Sequence, residues 1–291
     1  MHVFVTGATG WIGSAVVDQL IDGGHEVTGL ARSDSSAAIL AGRGAKVQRG
    51  DLDDLDSLRA GADAAEAVVH LANKHDFSDH AGTNAAERAA VQALGETLAG
   101  SHRRFVVASG LAFIAPGRVA TELDKSPFHG VDSMRGGSEN LALDFTAQGV
   151  DSIITRFAPT VHGTGDRWFL AELVSIARRT GVSAYVDEGA NRWSAVHVAD
   201  AAGAVRLALE KPVPAGTILH AVAETEISTR AIAEAIGRGL GLPVESAPEE
   251  HFGWVGRFFG AEMSAANHAT RTLLDWTPTG LGLFEDLVSY F

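Results

Sequence analysis

The residues best suited to chemistry stand near the amino end, where Val3-Phe4-Val5-Thr6 runs into Gly7-Ala8-Thr9-Gly10-Trp11-Ile12-Gly13. Glycines at these offsets do separate jobs where a strand turns into a helix. Gly7 permits the tight turn, Gly10 lets the backbone approach a pyrophosphate, and Gly13 allows the helix to pack closely on the strand. The helix then offers amide donors and the positive end of its dipole to an anion. The chemistry implied is capture of a dinucleotide by its pyrophosphate, with Thr9, Trp11 and Ile12 completing the turn. A second β-rich run about a dozen residues later supplies the context this fingerprint needs.

The end of that second run selects the dinucleotide. Val27-Thr28-Gly29-Leu30-Ala31 leads into Arg32 and Ser33, where an NAD site would place a carboxylate against the adenosine 2′-hydroxyl. A guanidinium and a hydroxyl suit a 2′-phosphate instead, so NADP(H) is the expected cofactor, held there by Arg32 and Ser33. Asp51 and Leu52, after the third strand, are expected at the adenine. Leu71, Ala72 and Asn73, after the fourth, are expected beside the ribose and pyrophosphate.

Positioning these residues requires a parallel sheet covered by helices. Short apolar runs predict strands at His2 to Thr6, Glu26 to Leu30, Lys46 to Arg49, Ala67 to Leu71, Arg104 to Ser109 and Ser152 to Thr155. Between them, helical periodicity predicts helices from Trp11 to Asp22, Asp54 to Ala60, Asn84 to Leu98 and Met134 to Ala147. This alternation is the pattern of an α/β fold, a doubly wound parallel sheet of Rossmann type. The expected division is a cofactor-binding domain over residues 1–160, rejoined by about 190–222, and a smaller α/β cap built mainly from 161–291. Aromatic residues gather at Phe252, Trp254, Phe258, Phe259 and Trp276, which packing of the cap explains better than a substrate-facing lid.

Composition narrows the function. The chain has 291 residues, 46% of them hydrophobic and 20% charged, enough for a sizeable core. Its net charge of −13 argues against a nucleic-acid surface, which needs a basic face. With no cysteine, disulfides, thiolate metal sites and a cysteine nucleophile are excluded, and no metal centre is expected. Met1 to Val17 lacks the basic start of a targeting signal and reads as strand, turn and helix. No apolar run suggests a membrane span. A soluble cytoplasmic enzyme is expected.

Thr6 to Gly13, Asp51-Leu52, His70 to Asn73, Val107 to Ser109, Arg156 to Gly163 and Trp193 to Asp200 together resemble the short-chain dehydrogenase/reductase superfamily, in its extended epimerase/dehydratase-like branch. The resemblance spans almost the whole chain. It implies that Ser109 is the catalytic serine, and that Pro159 to Gly163, with Pro159 and Val161, forms the loop beside the nicotinamide. It marks His197 and Asp200 as architectural. It also implies a tyrosine acid/base and a lysine four residues later, and these are missing. Counting back from Glu139 and Gly149-Val150, the tyrosine position falls on Val131 and the lysine position on Arg135. The chain's two tyrosines are Tyr185 and Tyr290, so no shift of alignment restores the pair.

Arg135 can still hold the ribose or an anionic substrate group, but a guanidinium is a poor proton donor. Tyr185 in the cap, His162 beside the nicotinamide loop, and His75 or Asp76 after the fourth strand are alternative donors. Arg192 and Trp193 are candidates for lining the substrate pocket. The leading expectation is an NADP(H)-dependent oxidoreductase, a reductase or dehydrogenase acting on a carbonyl, imine or activated alkene of a small molecule. An imine fits the missing tyrosine, because reducing an iminium carbon creates no alkoxide. The alternatives are an NADP(H)-binding sensor or scaffold without turnover and, third, a sugar-nucleotide epimerase or dehydratase. A homodimer through the helices Asn84 to Leu98 and Met134 to Ala147 is the family habit.

Overall fold

The computed structural model describes residues 1–76 and 79–291. The chain separates into two compact units. One comprises Met1–Ser109, Ser126–Thr155 and Ala202–Leu219, and the other Gly110–Lys125, Arg156–Ala201 and His220–Phe291.

The first unit is built on six strands that follow one another along the chain: β1 (His2–Thr6), β2 (Glu26–Ala31), β3 (Lys46–Arg49), β4 (Ala67–His70), β5 (Arg104–Gly110) and β6 (Asp151–Phe157). Thr217–Ala221 adds a seventh, giving the order Thr217–Ala221, β6, β5, β4, β1, β2, β3. β1 pairs in parallel with both β2 and β4, and β2–β3 and β4–β5 pair the same way. Winding therefore reverses between β1 and β4, and the chain ends leaving these two strands bracket the crevice where such sheets bind ligands. Phe4, Val68, Phe105 and Val107 are buried without exposure, as strands covered on both faces require.

Four helices follow the first strands: α1 (Trp11–Asp22), α2 (Asp34–Gly42), α3 (Leu55–Asp63) and α4 (His80–Leu98). The sequence reading has no counterpart to α2. That helix buries only Leu40, so it carries little amphipathic signal, and its start is set by Ser33, whose hydroxyl accepts from the Ser36 amide at 3.1 Å.

The expected helix Met134–Ala147 is corrected. Arg135, Gly136 and Gly137 take φ of 53°, 60° and 63°, so no α-helix runs through them, and α5 spans only Ser138–Asp144 before a 3₁₀ turn at Phe145–Gln148. The glycine pair makes the left-handed stretch affordable. Among the described residues no helix is long and apolar enough to cross a membrane.

The second unit holds a three-stranded sheet of Glu224–Ser228, Arg192–His197 and Thr160–His162, and a parallel pair of Val244–Ala247 with Ser183–Val186. The aromatic run near the end of the chain serves packing: Phe252 is 3% exposed, Phe259 is fully buried, and Phe259 meets the buried Trp193 edge-on at 5.3 Å.

Candidate active site

The glycine turn is built as its spacing requires. Gly7 has φ +67°, and a Cβ there would stand 2.7 Å from the Ala72 amide nitrogen and 2.8 Å from the Leu71 carbonyl carbon, so the turn leaving β1 lies against the chain leaving β4. At Gly13 a Cβ would fall 2.0 Å from the Gly7 carbonyl oxygen. Gly10 caps α1 with no side-chain hydrogen bond, and the first turn of α1 carries no acidic residue. The caps of α2, α3 and α4 are instead closed by Ser33, Asp54 and Asp79. Among the described residues no side chain thus caps the positive end of α1, and Thr9, Trp11 and Ile12 are half-buried around it. These residues fit the pyrophosphate of a dinucleotide.

At the end of β2, Arg32 is exposed and forms no ion pair among the described residues. Ser33 Oγ lies 2.9 Å from Ser35 Oγ and 3.0 Å from Ser36 Oγ. Arg49 donates to the Ser33 carbonyl at 2.6 Å and pairs with Asp34. Ser35, Ser36 and Arg49 thus join the pair read from the sequence. Their signal was the serine run after Arg32, legible only once α2 is known to begin there. Asp51 accepts from the Asp53 and Asp54 amides at 2.8 and 3.1 Å and so shapes the entry to α3, while Leu52 packs into the core.

Beyond the ends of β4 and β5 lies a buried polar network. His70 is wholly buried, its Nδ1 is 2.8 Å from Thr6 Oγ1, and its Nε2 has no partner among the described residues. Burial, aided by the charge of Arg135, depresses its pKa to about 3. An unfolded chain takes up that proton near pH 6.5, whereas the folded one does so near 3. Stability from neutral His70 is therefore complete above the higher value and is lost as the pH falls toward the lower. His70→Asn is expected to flatten the pH dependence of urea denaturation by up to about 1.4 kcal/mol per pH unit between about pH 6 and about pH 4.

Glu87 on α4 is also fully buried, and burial pushes its carboxyl up against the pull of Arg135 and Asn73. The Asn73 amide donates to one oxygen, and Arg135 Nη2 donates to the other at 2.5 Å and to the Ala108 carbonyl at 3.1 Å. Neither the Glu87–Arg135 pair nor its tie to Asn73 is visible in the sequence, since 48 residues separate the first two. Glu87→Ala is expected to cost about 3 kcal/mol in urea denaturation, because it strands both donors. Ser109, partly exposed at the end of β5, donates to Glu139 Oε2 at 2.6 Å.

A family model described as the NAD dependent epimerase/dehydratase family matches residues 3–220. The chain belongs to this family. An uncharacterized protein of Schizosaccharomyces pombe is 41% identical to it over 99% of both chains. The 4-hydroxy-2-methyl-3-oxo-4-farnesyl-3,4-dihydroquinoline-1-oxide ketoreductase of Stigmatella aurantiaca is 29% identical over 72% of this chain and 65% of its own. Among solved structures, the dTDP-glucose 4,6-dehydratase DesIV of Streptomyces venezuelae, with NAD and TYD bound, aligns at a TM-score of 0.78 and 22% identity, covering 100% of this chain and 97% of that one. That last likeness concerns the fold.

Within the family frame, the first unit holds two hydrogen-bonded groups: Ser109 with Glu139, and Glu87 with Asn73 and Arg135, the latter also donating to the Ala108 carbonyl on β5. Val131, at the expected tyrosine position, is 42% exposed. Arg135 does not extend from a helix as the expected lysine would. It leaves a left-handed turn, with its guanidinium already engaged by Glu87.

His75 and Asp76 belong to the first unit, and the remaining candidates to the second. Pro159 is half-buried, and Val161 pairs with Val196 between two strands. His162 is wholly buried, with Nδ1 2.8 Å from the Asp286 carboxylate and Nε2 unpartnered among the described residues. Tyr185 is half-buried, with the Arg230 guanidinium 5.1 Å over its ring. Trp193 Nε1 donates to the Phe258 carbonyl at 3.2 Å, and Arg192 pairs with Glu226 and Glu262, so both have structural partners. Asp200 accepts from the Thr279 and Gly280 amides, and His197 Nδ1 lies 3.3 Å from the Ala199 amide, as architectural residues do.

Proposed function

We propose that the protein is an NADP(H)-dependent oxidoreductase that reduces, or in reverse forms, a carbonyl, imine or activated alkene in a small organic molecule. The observation that carries this reading is the amino end of α1, seated among Gly7, Gly10 and Gly13 with no side-chain cap among the described residues. Arg32, which forms no ion pair among the described residues and stands beside the serine-lined start of α2, favours the phosphorylated dinucleotide. A bound NADPH supplies hydride. The protein's part is to fix the substrate and manage its proton, and Ser109, hydrogen-bonded and partly exposed at the end of β5, is the hydroxyl suited to hold a substrate oxygen. The ketoreductase relative supports the reductase direction.

The test is NADPH oxidation by purified protein across aldehydes, ketones, quinones and cyclic imines. Turnover with NADPH in preference to NADH is expected. Tight NADPH binding, read by tryptophan fluorescence, with no turnover across the panel would favour a sensor. That second reading draws on the missing Tyr-Lys pair and on the engagement of Arg135 by Glu87.

A further inference from the structure

We propose that Glu139 is the proton terminus for chemistry at Ser109, a role that rests on the oxidoreductase reading above. Ser109 is partly exposed, whereas Glu139 behind it is 5% exposed, and 2.6 Å separates Oγ from Oε2. The serine hydroxyl is therefore an outlet for a buried carboxylate. The backbone explains the arrangement. Three successive left-handed residues at Arg135, Gly136 and Gly137 break the helical path there and start α5 at Ser138. Glu139 then falls in the first turn of α5.

Neighbouring titratable groups are less suited to this role. His70, with its pKa near 3, is a neutral imidazole at neutral pH and has no acidic imidazolium proton to give. On α4, Glu87 is taken up by Arg135 and Asn73, and Arg88 donates to the Gly136 carbonyl at 2.8 Å. Glu139 is the carboxylate hydrogen-bonded to the serine.

The balance is simplest for alcohol oxidation. The carbinol C–H bond breaks and its hydride is lost to the oxidised nicotinamide. The hydroxyl proton passes to Ser109 Oγ as the serine's own proton passes to Glu139 Oε2. A carbonyl, the reduced cofactor and a neutral Glu139 carboxyl result, and the carboxyl then releases its proton to water. Carbonyl reduction follows the same path backwards, starting from neutral Glu139. Glu139 touches the serine rather than the substrate, so it is a positioning residue that also stores the proton.

The test uses the full chain with NADPH and the panel of carbonyl and cyclic imine probes. With carbonyl probes, Glu139→Gln is expected to lower kcat about 100-fold while KM and NADPH affinity stay within about twofold, and Glu139→Asp recovers part of the loss. Ser109→Ala should lower kcat similarly, and the double variant should be no slower than either single one, since both act on one proton path. A readout independent of turnover comes from protein labelled with ¹³C at glutamate carboxyls. The resonance missing in Glu139→Gln should shift in Ser109→Ala, and if Glu139→Gln does not fold, Glu139→Asp assigns it.

A wild type that reduces carbonyls while both single variants keep its kcat would overturn the relay and leave the reductase reading intact. Turnover confined to iminium probes, which need no proton at the reduced centre, would do the same. An unmoved Glu139 resonance in Ser109→Ala would also overturn the relay. No wild-type turnover with any probe would overturn both readings.

Discussion

Gly13→Val is expected to abolish dinucleotide binding, lowering NADPH affinity by at least about 100-fold, which is roughly 2.7 kcal/mol. A Cβ at this position would sit 2.0 Å from the Gly7 carbonyl oxygen, 2.8 Å from the Gly7 carbonyl carbon and 3.2 Å from the Ala8 Cα. All three are backbone atoms, so no side chain can swing away. The clash is relieved only by moving α1 off the turn, and that movement withdraws the helix terminus from any anion resting there. Gly10→Ala meets a single atom, the Gly7 carbonyl oxygen at 3.1 Å, and should be milder within the apo protein. Gly24→Ala is the control for backbone strain alone: φ is +79° and no atom lies within 4 Å of the added carbon, so it should cost about 1 kcal/mol of stability and leave affinity unchanged. Calorimetric titration with NADPH beside urea denaturation separates the binding loss from the folding loss.

Arg32→Asp is expected to reverse the cofactor preference. NADPH affinity should fall by about 100-fold, as a charge-assisted contact to a dianionic phosphate is lost and a like charge takes its place, while NADH affinity should hold or rise. Arg32 is exposed and forms no ion pair among the described residues, so its removal leaves no stranded carboxylate and should change stability by less than about 0.5 kcal/mol. Because the contact is exposed, the advantage of NADPH over NADH in the wild type should shrink as salt is raised. Competitive titration of both dinucleotides at low and high ionic strength measures each part.

Features fixed by short stretches of chain were the most legible. β1, the glycine turn and α1 could be read together because strand, turn and helix each leave a local pattern within the first 22 residues, and their conformations agree. The parallel α/β class follows from the alternation of apolar runs and helices. α2 leaves no stripe in the sequence, because Leu40 is its single buried side chain, and Ser33 suits a phosphate contact as well as the cap it forms. The break before α5 turned on Gly136 and Gly137. A glycine inside a helical period is often tolerated, and only the left-handed conformation of three consecutive residues shows that here it was not.

The catalytic region was the least legible, for a reason of distance along the chain. Ser109 could be placed by resemblance, but its partner lies 30 residues away and the partner of Arg135 lies 48 residues away. No periodicity links such positions; they meet only because β5, α4 and the turn before α5 pack in one unit. His70 did leave a trace, as a polar residue closing an apolar strand, but its neutrality follows from burial beside Arg135.

Calorimetric titration of the purified chain with NADPH tests the central claim, that the glycine turn and Arg32 together hold a phosphorylated dinucleotide. Saturable heat at one site per chain is expected, weaker for NADH and absent in Gly13→Val. A wild type that takes up neither NADPH nor NADH would contradict it.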